Sequence, residues 1–199
     1  MENERNLKFS KIVALIFALW TVYEVFAYVR YGFYIQYFKI FRIIAFAFIA
    51  YATYRDRRDI SIAKGYTILL AVRLWYFFVG WKGQYWVETS AGEHFSFVAM
   101  LPALLDVAAG LIAVFIALAL FTEYLPKCKE AAKKIWILPS AFIVATVVTA
   151  QLVHFLFNGA WWNEGSYINI ENVILRLMYA TLYLVGMMYV AYPDGLKRK

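Results

Sequence analysis

The chain has 199 residues, 64% of them hydrophobic and only 17% charged, with a mean hydropathy of +0.61. Soluble domains run to about 45–50% apolar and roughly 25% charged residues, and a globule of this length buries only about 70% of its chain surface, so a water-soluble enzyme, a disordered tail and a nucleic-acid module are all excluded. A net charge of +7 then reads as basic loops flanking membrane spans, with the lipid bilayer rather than nucleic acid as partner.

In chain order, six stretches are apolar and long enough to cross the roughly 30 Å of a bilayer's hydrocarbon, at 12–29, 33–54, 61–81, 97–120, 135–157 and 168–192. The expected fold is all-α: a polytopic membrane protein with six transmembrane helices in one bundle, forming a single domain over residues 1–199. The first stretch follows the charged segment MENERNLKFSK and is too long for a secretory signal core, so it reads as a retained signal anchor. Pro126 and Pro193 fall at helix ends, while Pro102 and Pro139 fall in first turns, where proline is tolerated. The three consecutive pairs of spans are too dissimilar in sequence to count as a repeat.

Basic residues set the expected orientation. Arg5, Lys8 and Lys11 precede the first span; Arg55, Arg57, Arg58 and Lys64 lie around the second connection. Lys127, Lys129, Lys133 and Lys134 lie in the fourth connection, and Lys197, Arg198 and Lys199 close the chain. Together these hold most of the 20 lysines and arginines and occupy alternate sides of a six-span chain. The positive-inside rule places both termini in the cytoplasm and the protein in a membrane, expected to be the plasma membrane. Only Arg30, Lys39 and Arg42 in the first hairpin run against the pattern.

The ionisable residues within the spans carry most of the functional information, because each costs roughly 2.5–3.5 kcal/mol at a bilayer centre. Glu24 and Lys39 each lie about 9 Å from the outer ends of their spans and are expected to pair; Arg73 and Asp106, at about 12 and 14 Å, are expected to do the same. Arg42 lies in the second span, Gln151 and His154 near the outer end of the fifth, and Glu171 and Arg176 in the outer part of the sixth. All fall in the outer half of the membrane, while the inner halves are almost wholly apolar. Asp106 shares a helix face with Ala103, Gly110, Ala113 and Ala117, small residues that point it into the bundle.

Tryptophan follows the same asymmetry. Five of the seven tryptophans, Trp75, Trp81, Trp86, Trp161 and Trp162, fall at or beyond the outer interface, where an aromatic belt or the wall of a small-molecule pocket would use them. The candidate ligand-binding set is therefore Glu24, Arg42, Arg73, Asp106, Gln151, His154, Trp161, Trp162, Glu171 and Arg176. No catalytic residue is assigned, since no HExxH, GxSxG, phosphate-binding or dinucleotide-binding motif occurs. No metal site or cofactor is expected: there are two histidines, and the single cysteine, Cys128, excludes an intrachain disulfide.

These features point to a small-solute binding or transport component with an outward-facing polar and aromatic pocket, whose excess of basic groups favours an anionic or zwitterionic ligand. Two alternatives stand beside it. One is a sensor or assembly subunit whose charges pair helices or engage a membrane partner subunit; the other is a membrane enzyme acting on a lipid or isoprenoid head group, with His154, Glu171 or Asp106 as acid or base. In size, span number and termini the chain resembles the substrate-binding subunits of energy-coupling-factor vitamin transporters. Ala14 and Ala18 resemble the docking motif of that family, although intramembrane arginines depart from its pattern.

Overall fold

A computed structural model describes residues 2–30, 37–57, 60–80, 85–89, 92–121, 124–158 and 170–192. A long helix overlaps each of the six apolar stretches: α1 (Glu2–Arg30), which begins ten residues before its stretch, α2 (Tyr37–Tyr54), α3 (Ile60–Gly80), α4 (Phe97–Phe121), α6 (Leu138–Asn158) and α7 (Ile170–Ala191). The short basic helix α5 (Lys129–Lys134) precedes α6, and a two-stranded hairpin, β1 (Trp86–Thr89) with β2 (Gly92–Phe95), precedes α4. Among the described residues, four helices are long and apolar enough to cross a membrane. A fifth joins them if the pair Pro126–Lys134 and Leu138–Val153, bent by 47°, counts as one span. The fold is thus helical and membrane-protein-like.

Local chemistry explains several element boundaries. Ser96 caps α4, its hydroxyl accepting the Ala99 amide at 3.4 Å, and Pro102 follows inside the helix without ending it. The expected fifth span begins later than its apolar pattern suggests. Lys129–Lys134 forms a separate basic turn, and Pro139 sits at the start of α6, where a missing N–H costs nothing. At the end of α2, Asp56 adopts a left-handed conformation with φ of 47°. The amides of Asp56 and Arg57 donate to the carbonyls of Thr53 and Ala52 at 3.0 and 2.9 Å, closing the helix in a Schellman motif. The Asp56 carboxylate then accepts the Tyr189 hydroxyl at 2.5 Å, tying the α2–α3 turn to the far end of α7.

Each long helix packs on the next, and α7 returns to touch both α1 and α4, which closes the ring. Helix α4 reaches α3, α6 and α7 because Ala109, Gly110, Ala113 and Ala117 make its inward face almost flat. Opposite that face the core is aromatic, with Phe17, Phe46, Tyr66 and Tyr183 almost completely buried. Ile12, Leu15, Leu19, Phe26 and Phe78 are exposed large hydrophobics, as expected where lipid replaces water. Ala14 faces the core at 5% exposure, so it forms no outward docking pair with the exposed Ala18.

The tightest approach is at Gly186. A Cβ there would overlap the Tyr66 hydroxyl and sit 3.1 Å from the Phe17 ring. The Tyr66 hydroxyl is itself buried with no hydrogen-bond partner among the described residues. Gly186→Ala should therefore destabilise the protein by about 1–3 kcal/mol through overpacking, and Tyr66→Phe in that background should restore part of the loss. Tyr66→Phe alone should be neutral or stabilising, because it removes an unsatisfied polar group. Chemical unfolding of the four proteins in detergent checks this; an additive double variant would show that the hydroxyl does not set the constraint.

Candidate functional site

A cavity of about 670 Å³ opens among α1, α2, α3, α4, α6 and α7, at the end of the bundle that carries the β-hairpin. Its polar wall is built from opposite charges on neighbouring helices. Glu24 of α1 is 4% exposed, and its Oε2 accepts a hydrogen bond from Arg42 Nη2 of α2 at 2.6 Å. The expected partner was Lys39. Arg42 lies three residues, almost a full turn, further along α2 and reaches the buried carboxylate with a longer, forked side chain, while Lys39 lines the same cavity without pairing to it.

The second pair joins α3 to α4. Arg73 is 6% exposed; its Nη1 donates to the main-chain carbonyl of Asp106 at 2.6 Å and lies 3.4 Å from the Asp106 carboxylate. The face of the guanidinium rests on α7, with Cζ 4.6 Å from the ring centre of Tyr183 and 5.4 Å from that of Tyr179. Such contacts are worth about 2 kcal/mol or more when desolvated. A single cation therefore connects three helices. Arg176 of α7 also lines the cavity, and its Nη1 lies 3.4 Å from the Thr146 hydroxyl of α6.

The structure thus brings Glu24, Arg42, Arg73, Asp106 and Arg176 to one cavity. Gln151 is half-buried on α6 and is not among the described residues that line it. The backbones of His154 and Glu171 belong to α6 and α7, but their side chains lie outside the described structure, as do Trp161 and Trp162 altogether. Trp75, expected as a wall residue, is 49% exposed and turned away from the cavity lining.

The aromatic lining comes instead from residues that the sequence reading passed over. Trp20 and Tyr23 of α1, Tyr76 of α3, Tyr179 of α7 and Tyr85 before the hairpin all contribute. Two of these were marked by helical spacing, since Trp20 lies four residues before Glu24 and Tyr179 three after Arg176. Tyr85 could not be found this way, because tertiary contacts alone place it. Its hydroxyl donates to the Phe77 carbonyl at 3.1 Å, its own carbonyl accepts the Ser96 amide at 2.8 Å, and burial holds its hydroxyl above the usual phenol range.

Among the described residues, the cavity is lined by four cationic side chains, Lys39, Arg42, Arg73 and Arg176, and two carboxylates, Glu24 and Asp106. It can accept a polar solute of net negative charge and hold an aromatic or aliphatic body against Trp20 and the tyrosines. Among the described residues, no group of three or more His, Cys, Asp or Glu side chains could hold a metal ion. Comparison with family models, curated proteins and solved structures returns no match, so chemistry at this site carries the functional reading.

Asp106 offers Arg73 both a carboxylate and a main-chain oxygen, which makes the two substitutions unequal. Arg73→Ala should cost about 3–5 kcal/mol, the usual loss when a buried pair is broken. Asp106→Ala should cost less, because the carbonyl remains as acceptor. A double-mutant cycle read by unfolding in detergent should return a coupling of about 0.5–3 kcal/mol, and simple additivity would mean that the carboxylate contributes nothing to the contact.

Proposed function

We propose that this protein is a six-span component of the plasma membrane, with both termini in the cytoplasm, that binds a small solute from outside and serves its uptake or transport. The observation that carries this reading is the single cavity lined by charged side chains from five of the long helices. Ionisable groups at membrane depth are expensive and usually face a pathway or a site. The distribution of lysine and arginine supports the orientation, because the basic turn of α5 and the α2–α3 turn lie opposite the hairpin end where the cavity opens. The six-span reading takes α2 and α6, at 18 and 21 residues and about 27 and 32 Å long, as its two further spans.

A second reading, an assembly or sensor subunit, draws on one specific feature. Each ion pair joins two helices consecutive in the chain, Glu24 of α1 with Arg42 of α2 and Arg73 of α3 with Asp106 of α4. Pairs so placed would also serve to set helix register. A membrane enzyme is less well supported, since both described carboxylates lining the cavity are already engaged by arginine.

Two measurements test the proposal. In a Cys128→Ser background, His94→Cys at the hairpin should react with an impermeant thiol reagent in intact cells while Lys134→Cys should not; the reverse pattern would overturn the orientation. Thermal unfolding of the purified protein should respond to a ligand in a screen of amino acids, vitamins, lipid head groups and isoprenoid phosphates, by about 2.7 kcal/mol at a hundredfold excess over its dissociation constant. A screen with no stabilising compound, joined to wild-type behaviour of Arg42→Gln and Arg176→Gln in cells, would favour the register reading.

A further inference from the structure

The cavity wall is deficient in one kind of partner. Among the described residues, the buried nitrogens on its lining that meet no acceptor are Trp20 Nε1, Arg42 Nε, and Arg73 Nε and Nη2. All four are hydrogen-bond donors. No buried oxygen on a lining residue is left without a partner in the same way. Arg73 shows the deficit most clearly. Asp106 takes its Nη1, and the rings of Tyr179 and Tyr183 take its face, which leaves the in-plane Nε–Nη2 edge with no oxygen to bind. That edge is the one with which a guanidinium binds two oxygens of a carboxylate or phosphate group in parallel. Lys39 and Arg176 add positive charge to the same wall, and among the described residues neither has a carboxylate within ion-pair distance.

We infer that the ligand is a small organic oxyanion, a carboxylate or a phosphate-type group of one or two negative charges. Its oxygens face the Arg73 side of the cavity, and its charge is balanced by Lys39 and Arg176 on the same lining. The inference rests on the solute-binding reading above and narrows it: a neutral or cationic ligand would leave the donors unanswered and the excess positive charge unbalanced. The same oxyanion is carried by a soluble metabolite and by a lipid head group, so the test has an arm for each.

The test is titration calorimetry of the full-length protein in an uncharged detergent, with three ligands of one shape: benzoate, benzamide and benzamidine. Phenylphosphonate serves as a second oxyanion. Benzoate and phenylphosphonate should bind at least about tenfold more tightly than benzamide, with benzamidine weakest. Lys39→Gln and Arg176→Gln alter partly exposed side chains, so the fold should tolerate them. Each should weaken both oxyanions about five- to tenfold while leaving benzamide unchanged, and Lys134→Gln on α5 should change nothing. Equal affinity for benzoate and benzamide, or a preference for benzamidine, would overturn the oxyanion assignment and leave the solute-binding reading intact, with water answering the donors. Absence of binding by any of these compounds would overturn both. Glycerol 3-phosphate against dihexanoyl phosphatidic acid then separates the sources: tighter binding of the first supports a free solute, and of the second a lipid head group reached from the bilayer.

Discussion

The guanidinium of Arg73 is the constraint around which the polar end of this protein is organised. It is a permanent charge on the inward face of α3, nearly inaccessible to solvent, at a depth where an uncompensated ion costs several kcal/mol. Two kinds of compensation meet there. In the plane of the group, α4 supplies the carbonyl and carboxylate of Asp106; against its face, α7 supplies the rings of Tyr179 and Tyr183. Neither partner alone would suffice. The arrangement fixes the relative height of α3, α4 and α7, and the cavity is the space left where those helices and their neighbours diverge above it.

The rest of the bundle follows from the need to bring α4 close to that charge. Large side chains on the inward face of α4 would hold it away from α3 and α7, and the alanines and Gly110 remove them. Around and beyond that charge the core packing is aromatic. Phe46 and Tyr179 meet edge to face at 5.6 Å, and Tyr66 and Tyr183 do so at 5.4 Å. Gly186 lets the Tyr66 ring lie against α7. The result is a bundle with a charge-lined cavity at the hairpin end and close-packed aromatic and small-residue contacts within its core. A binding cavity that must not leak would need the same division.

The two ion pairs differ in what they can contribute. Glu24 is almost wholly buried, while its partner Arg42 remains about one-third accessible, so the pair lies at the cavity's edge with its negative member hidden. In the other pair the cation is hidden and Asp106 keeps about one-third of its side-chain surface. Burial of opposite members means that each pair presents a different sign to the interior, and the excess of cations comes from Lys39 and Arg176, which belong to neither pair. A site assembled in this way can attract an anion without carrying a concentrated unpaired charge when empty.

Much of this was legible from residue order alone. Apart from the charged first turns of α1, the apolar stretches mark the helices to within a few residues, because a helix segment surrounded by lipid or other helices must be apolar, and that pattern is local. The confinement of intramembrane charge to one end and the small-residue face of α4 were visible for the same reason. Which charges meet was not. Lys39 and Arg42 are both within reach of Glu24 on spacing, and only the rotation of α2 against α1 selects the arginine. Trp75 resembles a pocket residue by depth yet is half exposed and outside the cavity lining, whereas Trp20, at similar depth, is part of it. Helical periodicity places a residue on a face, but which face looks inward is decided by packing against other helices. The hairpin before α4 is too short for alternation to reveal, and Tyr85 owes its position to hydrogen bonds with Phe77 and Ser96. Residue chemistry by itself determined that this chain is helical and of a membrane type, with its intramembrane charges gathered toward one end. Tertiary structure decided the partner of each charge and the lining of the cavity, because those depend on the rotation and height of whole helices, which no local pattern encodes.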